Sequence, residues 1–406
     1  MQLQTLPPLS LYIHLPWCMQ KCPYCDFNSH TAPAEIPADA YVAALTADID
    51  HALPEVWGRS LTSVFIGGGT PSLFPPRAIA RLLSNVRARF NPAPDIEVTL
   101  EANPGTLEAA RFGEFRAAGI NRLSVGVQSF ADEMLARLGR IHDGRAARDA
   151  VEAALAAGFD SVNIDLMYGL PGQSPAAAMA DLDTALELAP DHVSWYELTL
   201  EPNTVFWSRP PADLPDTDAK ADIEDAGFER LRAAGYQRYE ISAWALGEQL
   251  RCQHNLNYWY FGDYLGIGAG AHGKITHPEP ARIERTARVR APASYLERSP
   301  RGEAVAHRQT LQAADAASEF LLNALRLPAG FEPDLLTERT GVPLSWLATP
   351  LAAAEADGLL ERSFERIRPT PRGLQLLNDL LARFEAETAT WRSGRERIAR
   401  IPVVAQ

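Results

Sequence analysis

The chain has 406 residues, enough for one large domain and a small one. With 46% hydrophobic and 22% charged residues it has the composition of an ordinary globular protein, so a disordered or fibrous chain is excluded. Its formal net charge of −13, from 38 basic and 51 acidic residues, argues against nucleic acid as a partner.

The opening MQLQTLPPLS has neither a basic region nor a long apolar core, so no signal peptide is expected. The apolar runs, such as 9–17, are of strand length, which predicts no transmembrane segment and a cytoplasmic protein. Strand candidates then recur as SLYIHL, SVFIGG, IEVTLEA, RLSVGVQ, SVNIDLMY and HVSWYELT, ending near Leu15, Gly67, Ala102, Gln128, Tyr168 and Thr199. Several are nearly continuous apolar runs, the pattern of buried parallel strands. Helical patterns separate them, among them 39–53, 106–118 and 145–157, and Gly119, Gly158 and Gly235 stand where a helix hands over to a strand. Six such units predict an α/β fold, a partial (β/α)6 TIM-like barrel over residues 1–240.

Residues 241–304 are rich in glycine and aromatic residues and are expected to be a connecting segment that completes the site. From 305 the texture changes to helical patterns at 313–326, 333–340 and 345–357, a short two-stranded wing in GLLERSFERIRPTPRG, and a last helix. A winged-helix-like domain over 305–384 and a tail over 385–406 are therefore expected.

Three of the four cysteines lie within eight residues, Cys18-Met19-Gln20-Lys21-Cys22-Pro23-Tyr24-Cys25, directly after the first strand. A disulfide framework would spread them along an exported chain, so the cluster points to metal ligation. Zinc motifs usually come as paired CxxC or with histidines at matched spacing, and no such partner pair is present. Iron–sulfur clusters of the [4Fe-4S] type normally take four thiolates. Three leave one iron for an exchangeable ligand, or for distant Cys252.

The CxxxCxxC spacing after a first strand resembles the radical S-adenosylmethionine superfamily. There the amine and carboxylate of the methionyl group chelate the open iron, and electron transfer cleaves the sulfonium to a deoxyadenosyl radical. Gly67-Gly68-Gly69-Thr70-Pro71, Glu101-Ala102-Asn103-Pro104, Gly126-Val127-Gln128-Ser129-Phe130 and 163–171 match blocks of its coproporphyrinogen-oxidase-like branch, as does Tyr12-Ile13-His14-Leu15-Pro16-Trp17-Cys18. The resemblance implies Cys18, Cys22 and Cys25 as cluster ligands. It also implies contacts to S-adenosylmethionine from Tyr12, Tyr24 and the backbone of Gly68, Gly69 and Thr70, with Glu101, Gln128, Arg140 and Asp165 completing the site. Carboxylates suit ribose hydroxyls, and an arginine suits the ligand carboxylate.

Two departures narrow the branch. The oxidases carry a fourth nearby cysteine where this chain has Asp26-Phe27, and a longer arm ahead of the barrel where it has eleven residues before Tyr12. Instead, Cys252-Gln253-His254-Asn255-Leu256-Asn257-Tyr258-Trp259 and the glycine run from Gly266 resemble the HemW-type haem chaperones. That resemblance implies haem as cargo, with His254 as candidate axial ligand, haem-acceptor proteins as partners and an electron donor for the cluster. The glycine run is expected to close over the S-adenosylmethionine pocket. A carrier has no catalytic residue to assign. The alternative is an oxygen-independent coproporphyrinogen III oxidase-type enzyme.

Overall fold

The computed structural model describes residue 3 and residues 5–399. Six parallel strands form the predicted arc: β1 (Leu9–Leu15), β2 (Ser60–Gly68), β3 (Asn91–Ala102), β4 (Arg122–Gln128), β5 (Ser161–Tyr168) and β6 (His192–Glu197). They pair in chain order, each parallel to the next. Every residue of β4 is buried, because helices cover its outer face while the arc's own interior closes over the other. Leu9, Leu11, Ile13 and Leu15 of β1 face the helical layer, where α1 (Ala38–Ala52) and α2 (Pro76–Arg89) pack. The alternate positions Ser10, Tyr12 and His14 belong to the opposite face. Two helix starts of this layer are capped by side chains: Asp143 accepts from Ala146 ahead of α3 (Gly144–Ala156), and Ser174 accepts from Ala177 ahead of α4 (Pro175–Glu187). The helical pattern at 106–118 breaks at the turn Ala110-Arg111 into Thr106–Ala109 and Phe112–Ala118.

The arc continues past both ends. On the β6 side, β7 (Gln237–Arg238) and β8 (Ala243–Ala245) add antiparallel. On the β1 side, β9 (Asp263–Ile267) pairs parallel to β1, and β10 (His272–Pro278), β11 (Ala281–Arg288) and β12 (Val305–Thr310) extend it antiparallel into a sheet of twelve strands. The segment expected to connect is thus part of the sheet. Two buried charge networks anchor it: Asp263 takes Arg59 and Lys274, each at 2.8 Å, and Asp48 of α1 takes Arg288 at 3.2 Å. Removing one partner of such a network would strand a buried charge.

Strand β12 lies in this sheet, beyond the expected boundary at 305, and a second core begins after it. That core is built from α6 (Ala313–Ala324), α7 (Pro333–Thr340), α8 (Ala348–Ala356), the wing strands β13 (Leu360–Arg362) and β14 (Ile367–Pro369), and α9 (Leu377–Ala399). α5 (Gln253–Trp259) lies between the two bodies, and Phe261 after it meets Phe320 edge-on at 6.0 Å. The stretch expected as a tail from 385 is a continuation of α9, and 400–406 lie outside the described residues.

Candidate functional site

The cysteine loop leaves β1 through Pro16, and the short strand Trp17–Cys18 pairs with His30–Thr31. Inside it the Cys25 N–H donates to the Cys22 carbonyl at 3.2 Å, and the Ala32 N–H closes the loop on the Cys18 carbonyl at 2.8 Å. All three cysteines are half-buried free thiols. Burial raises the Cys18 and Cys25 thiols above their ordinary value.

The three cysteines line a cavity of about 410 Å³ at the C-terminal ends of the parallel strands. Tyr24, Gly68, Gly69, Thr70, Glu101, Gln128, Arg140 and Asp165 line the same cavity. Sequence-distant residues meet here because they lie on the C-terminal halves of the arc's strands, as Glu101, Gln128 and Asp165 do, or in the loops that follow them, as Tyr24 and Arg140 do, the face on which barrels of this kind build sites.

The turn after β2 approaches β1 too closely for any side chain. A Cβ on Gly69 would stand 2.6 Å from the Trp17 carbonyl oxygen, and one on Gly68, at φ +119°, would stand 2.7 Å from the His14 ring. The N–H groups of Gly68, Gly69 and Thr70 are spent on Glu101 Oε2, the Leu15 carbonyl and the Trp17 carbonyl at 3.0, 2.7 and 2.8 Å. A ligand amine therefore meets backbone acceptors at this turn, not donors.

Arg140 donates to Asn103 Oδ1 and the Gly126 carbonyl, both at 2.8 Å, and reaches Cys22 Sγ at 3.6 Å. Asn103 in turn donates to Thr70 Oγ1 at 2.8 Å, tying the arginine to the glycine turn. Asp165 accepts from Asn163 at 2.8 Å and Ser124 at 3.0 Å, and Tyr196 donates to Gln128 Oε1 at 2.8 Å. Gln128 holds a left-handed φ of 71°, which bends the end of β4 toward the cavity. Burial lifts Glu101 to about 8, helped by the neighbouring Asp165 charge, and burial raises Asp165 too. Such a carboxyl pair is poised to change protonation when hydroxyl donors arrive.

The donor set fits a cluster better than a lone ion. Among the described residues, Glu55, His277 and Glu284 are the three groups whose ligand atoms lie within 4.8 Å of one another, and the cysteine sulfurs are not among them. A tetrahedral zinc–thiolate site, with bonds of about 2.3 Å, would hold its sulfurs roughly 4 Å apart. Sulfurs farther apart than that suit an iron–sulfur core, in which each thiolate takes a different iron.

Two expected residues lie elsewhere. Tyr12 is not in the cavity wall; its hydroxyl is bonded to His14 Nδ1 at 3.0 Å and its ring stacks near Phe65 and His254. His254, on the inner face of α5, is 4% exposed, with Nδ1 3.2 Å from Ser63 Oγ and its ring stacked on Phe65 at 4.9 Å. Burial and the Arg122 charge push it down to about 3, so it is a neutral, packed imidazole. The structure does not offer it to a flat ligand where it stands. The glycine run is not a lid either: Gly266 lies in β9, and Gly268 and Gly270 turn against His14 and Asn28. Asn103, Ser124 and Tyr196 were not singled out by sequence, although Asn103 and Tyr196 stand at strand ends where the other site residues were found.

A family model described as the radical SAM superfamily matches residues 12–185, and one described as the HemN C-terminal domain matches residues 311–376. The chain is 49% identical to the heme chaperone HemW of Escherichia coli K12, over 94% of this chain and 99% of that protein. It is 32% identical to the heme chaperone HemW of Bacillus subtilis 168, over 93% and 99%. Among solved structures, the coproporphyrinogen III oxidase HemN of Escherichia coli, described as a radical SAM enzyme, superposes with a TM-score of 0.78 at 26% identity, covering 94% of this chain and 90% of that one.

Proposed function

The chain belongs to the HemW family of the radical SAM superfamily, and from that premise we propose that it is a cytoplasmic haem chaperone carrying a [4Fe-4S] cluster with exchangeable S-adenosylmethionine. The observation that carries the reading is the cavity in which Cys18, Cys22 and Cys25 meet Glu101, Gln128, Arg140 and Asp165. The three thiolates would hold the cluster, which supplies an open iron and an electron. Arg140 would pair with the ligand carboxylate, and the carbonyls of the Gly68–Gly69 turn would take its amine. Glu101 and Asp165 would accept from ribose hydroxyls and Tyr24 would cover the adenine. Haem acceptors and an electron donor complete the set of partners.

The rival reading, oxidation of a porphyrinogen propionate, is favoured by the likeness to HemN along nearly the whole chain. It is opposed by Asp26-Phe27 after Cys25, where the oxidases have a fourth cysteine. Anaerobically reconstituted protein should bind haem without converting coproporphyrinogen III to protoporphyrinogen in the presence of reductant. Turnover would overturn the carrier reading.

A further inference from the structure

A second, larger cavity of about 960 Å³ lies on the other side of the cysteine loop, and Cys22, Thr70, Asn103 and Arg140 form a wall common to both. Its size is at the upper end of the roughly 300–1,000 Å³ of small-molecule sites. Met19 and Ile141, 59% and 64% exposed, stand in its lining with Ile36 and Leu73, so apolar surface is left open beside the cluster loop.

Arg77 and Arg111 line the same cavity, and neither side chain donates a hydrogen bond or joins an ion pair among the described residues. Each also stands at the N-terminal end of a helix, Arg77 in the first turn of α2 and Arg111 at the N-cap of Phe112–Ala118. A cation there opposes the helix dipole, so neither arginine serves its own helix. The carboxylates nearby do not consume them. Asp39 is held by Arg81 at 2.8 Å, and Glu35 forms no ion pair among the described residues. Glu108, whose pKa burial raises, folds back toward Gly105 within electrostatic reach of Arg111.

Resting on the haem-carrier reading, we infer that this cavity is the tetrapyrrole site, with Arg77 and Arg111 holding the propionates and Met19 and Ile141 covering the macrocycle. A flat apolar ring with two carboxylates matches apolar walls and two guanidinium groups that join no salt bridge among the described residues. Haem and a biosynthetic porphyrin share this chemistry, and the reading commits to haem.

The test titrates ferric haem, haem dimethyl ester and coproporphyrin III into cluster-loaded protein, following difference spectra. Three forms are compared: native, Arg77→Ala/Arg111→Ala, and Arg77→Lys/Arg111→Lys. The alanine pair should weaken haem binding about tenfold or more, as for loss of charge-assisted contacts. The lysine pair should recover part of it, while iron, sulfide and S-adenosylmethionine binding stay unchanged. The ester should bind the native protein more weakly than haem and be indifferent to the substitutions. Equal haem binding by native and alanine forms, or equal binding of haem and ester, would overturn the assignment of this cavity. Tighter binding of coproporphyrin III than of haem would overturn haem as its occupant. No haem binding by the native protein would instead overturn the carrier reading itself.

Discussion

Replacing Arg140 by methionine keeps the aliphatic stem and deletes the guanidinium that joins Asn103, Gly126 and Cys22. Hydrogen bonds from a charged donor contribute about 1.5–3 kcal/mol each, but the two oxygens left behind open onto the cavity and can be rehydrated, so folding stability should fall by only about 1–2 kcal/mol. The ligand loses more. Taking one partner from a largely desolvated carboxylate pair costs about 2–4 kcal/mol, hence roughly a 30- to 1,000-fold rise in the Kd for S-adenosylmethionine. Calorimetric titration of cluster-loaded native, Arg140→Lys and Arg140→Met proteins measures this directly, with Arg140→Lys intermediate because it keeps the charge and loses the fork. A Kd within threefold of native for Arg140→Met, with full cluster content, would refute the placement of the ligand carboxylate.

Glu101, raised to about 8, and Asp165 hold protons more tightly in the fold than when unfolded. Their contribution to the stability of the ligand-free protein should therefore be full below about pH 4, the unfolded carboxylate range, and be lost as pH climbs toward 8, while Glu101→Gln should flatten that part of the slope in urea midpoints. His254→Ala removes a buried ring and its Ser63 contact, so unfolding should cost about 2–4 kcal/mol less. Its haem difference spectrum should stay as native; a lost or shifted Soret band would return His254 to the haem site. Gly68→Ala forces a Cβ into the His14 ring at a left-handed φ, with strain of about 1–3 kcal/mol. It should weaken S-adenosylmethionine binding in the same titration, and a native Kd would show that the turn does not need its close approach to β1.

The site was legible where one periodicity served two purposes. Strands buried on both faces read as continuous apolar runs, and the polar residues that interrupt their C-terminal halves, Glu101, Gln128 and Asp165, are the ones the arc brings together. The extension β9–β12 was not legible for the opposite reason. Asp263 and Lys274 are buried yet charged, and the pairing of Asp263 with both Lys274 and Arg59 is a tertiary fact that no local window contains. Gly266 looks like loop chemistry in sequence, whereas the structure uses it to let the strand backbone pass His272, whose carbonyl oxygen would lie 1.8 Å from a Cβ. The motif around His254 could be seen but not oriented, since the choice between the packed and the exposed face of α5 depends on what Phe65 and Ser63 present from β2.

Three thiolates holding an iron–sulfur core would leave one iron open to a small ligand. Electron paramagnetic resonance of anaerobically reconstituted, dithionite-reduced protein tests it, read beside iron and sulfide content. About four irons and four sulfides per chain are expected, with a spectrum that changes when S-adenosylmethionine is added, and loss of both in Cys22→Ser. Zinc in place of iron, or a reduced-cluster spectrum that S-adenosylmethionine leaves unmoved, would contradict it.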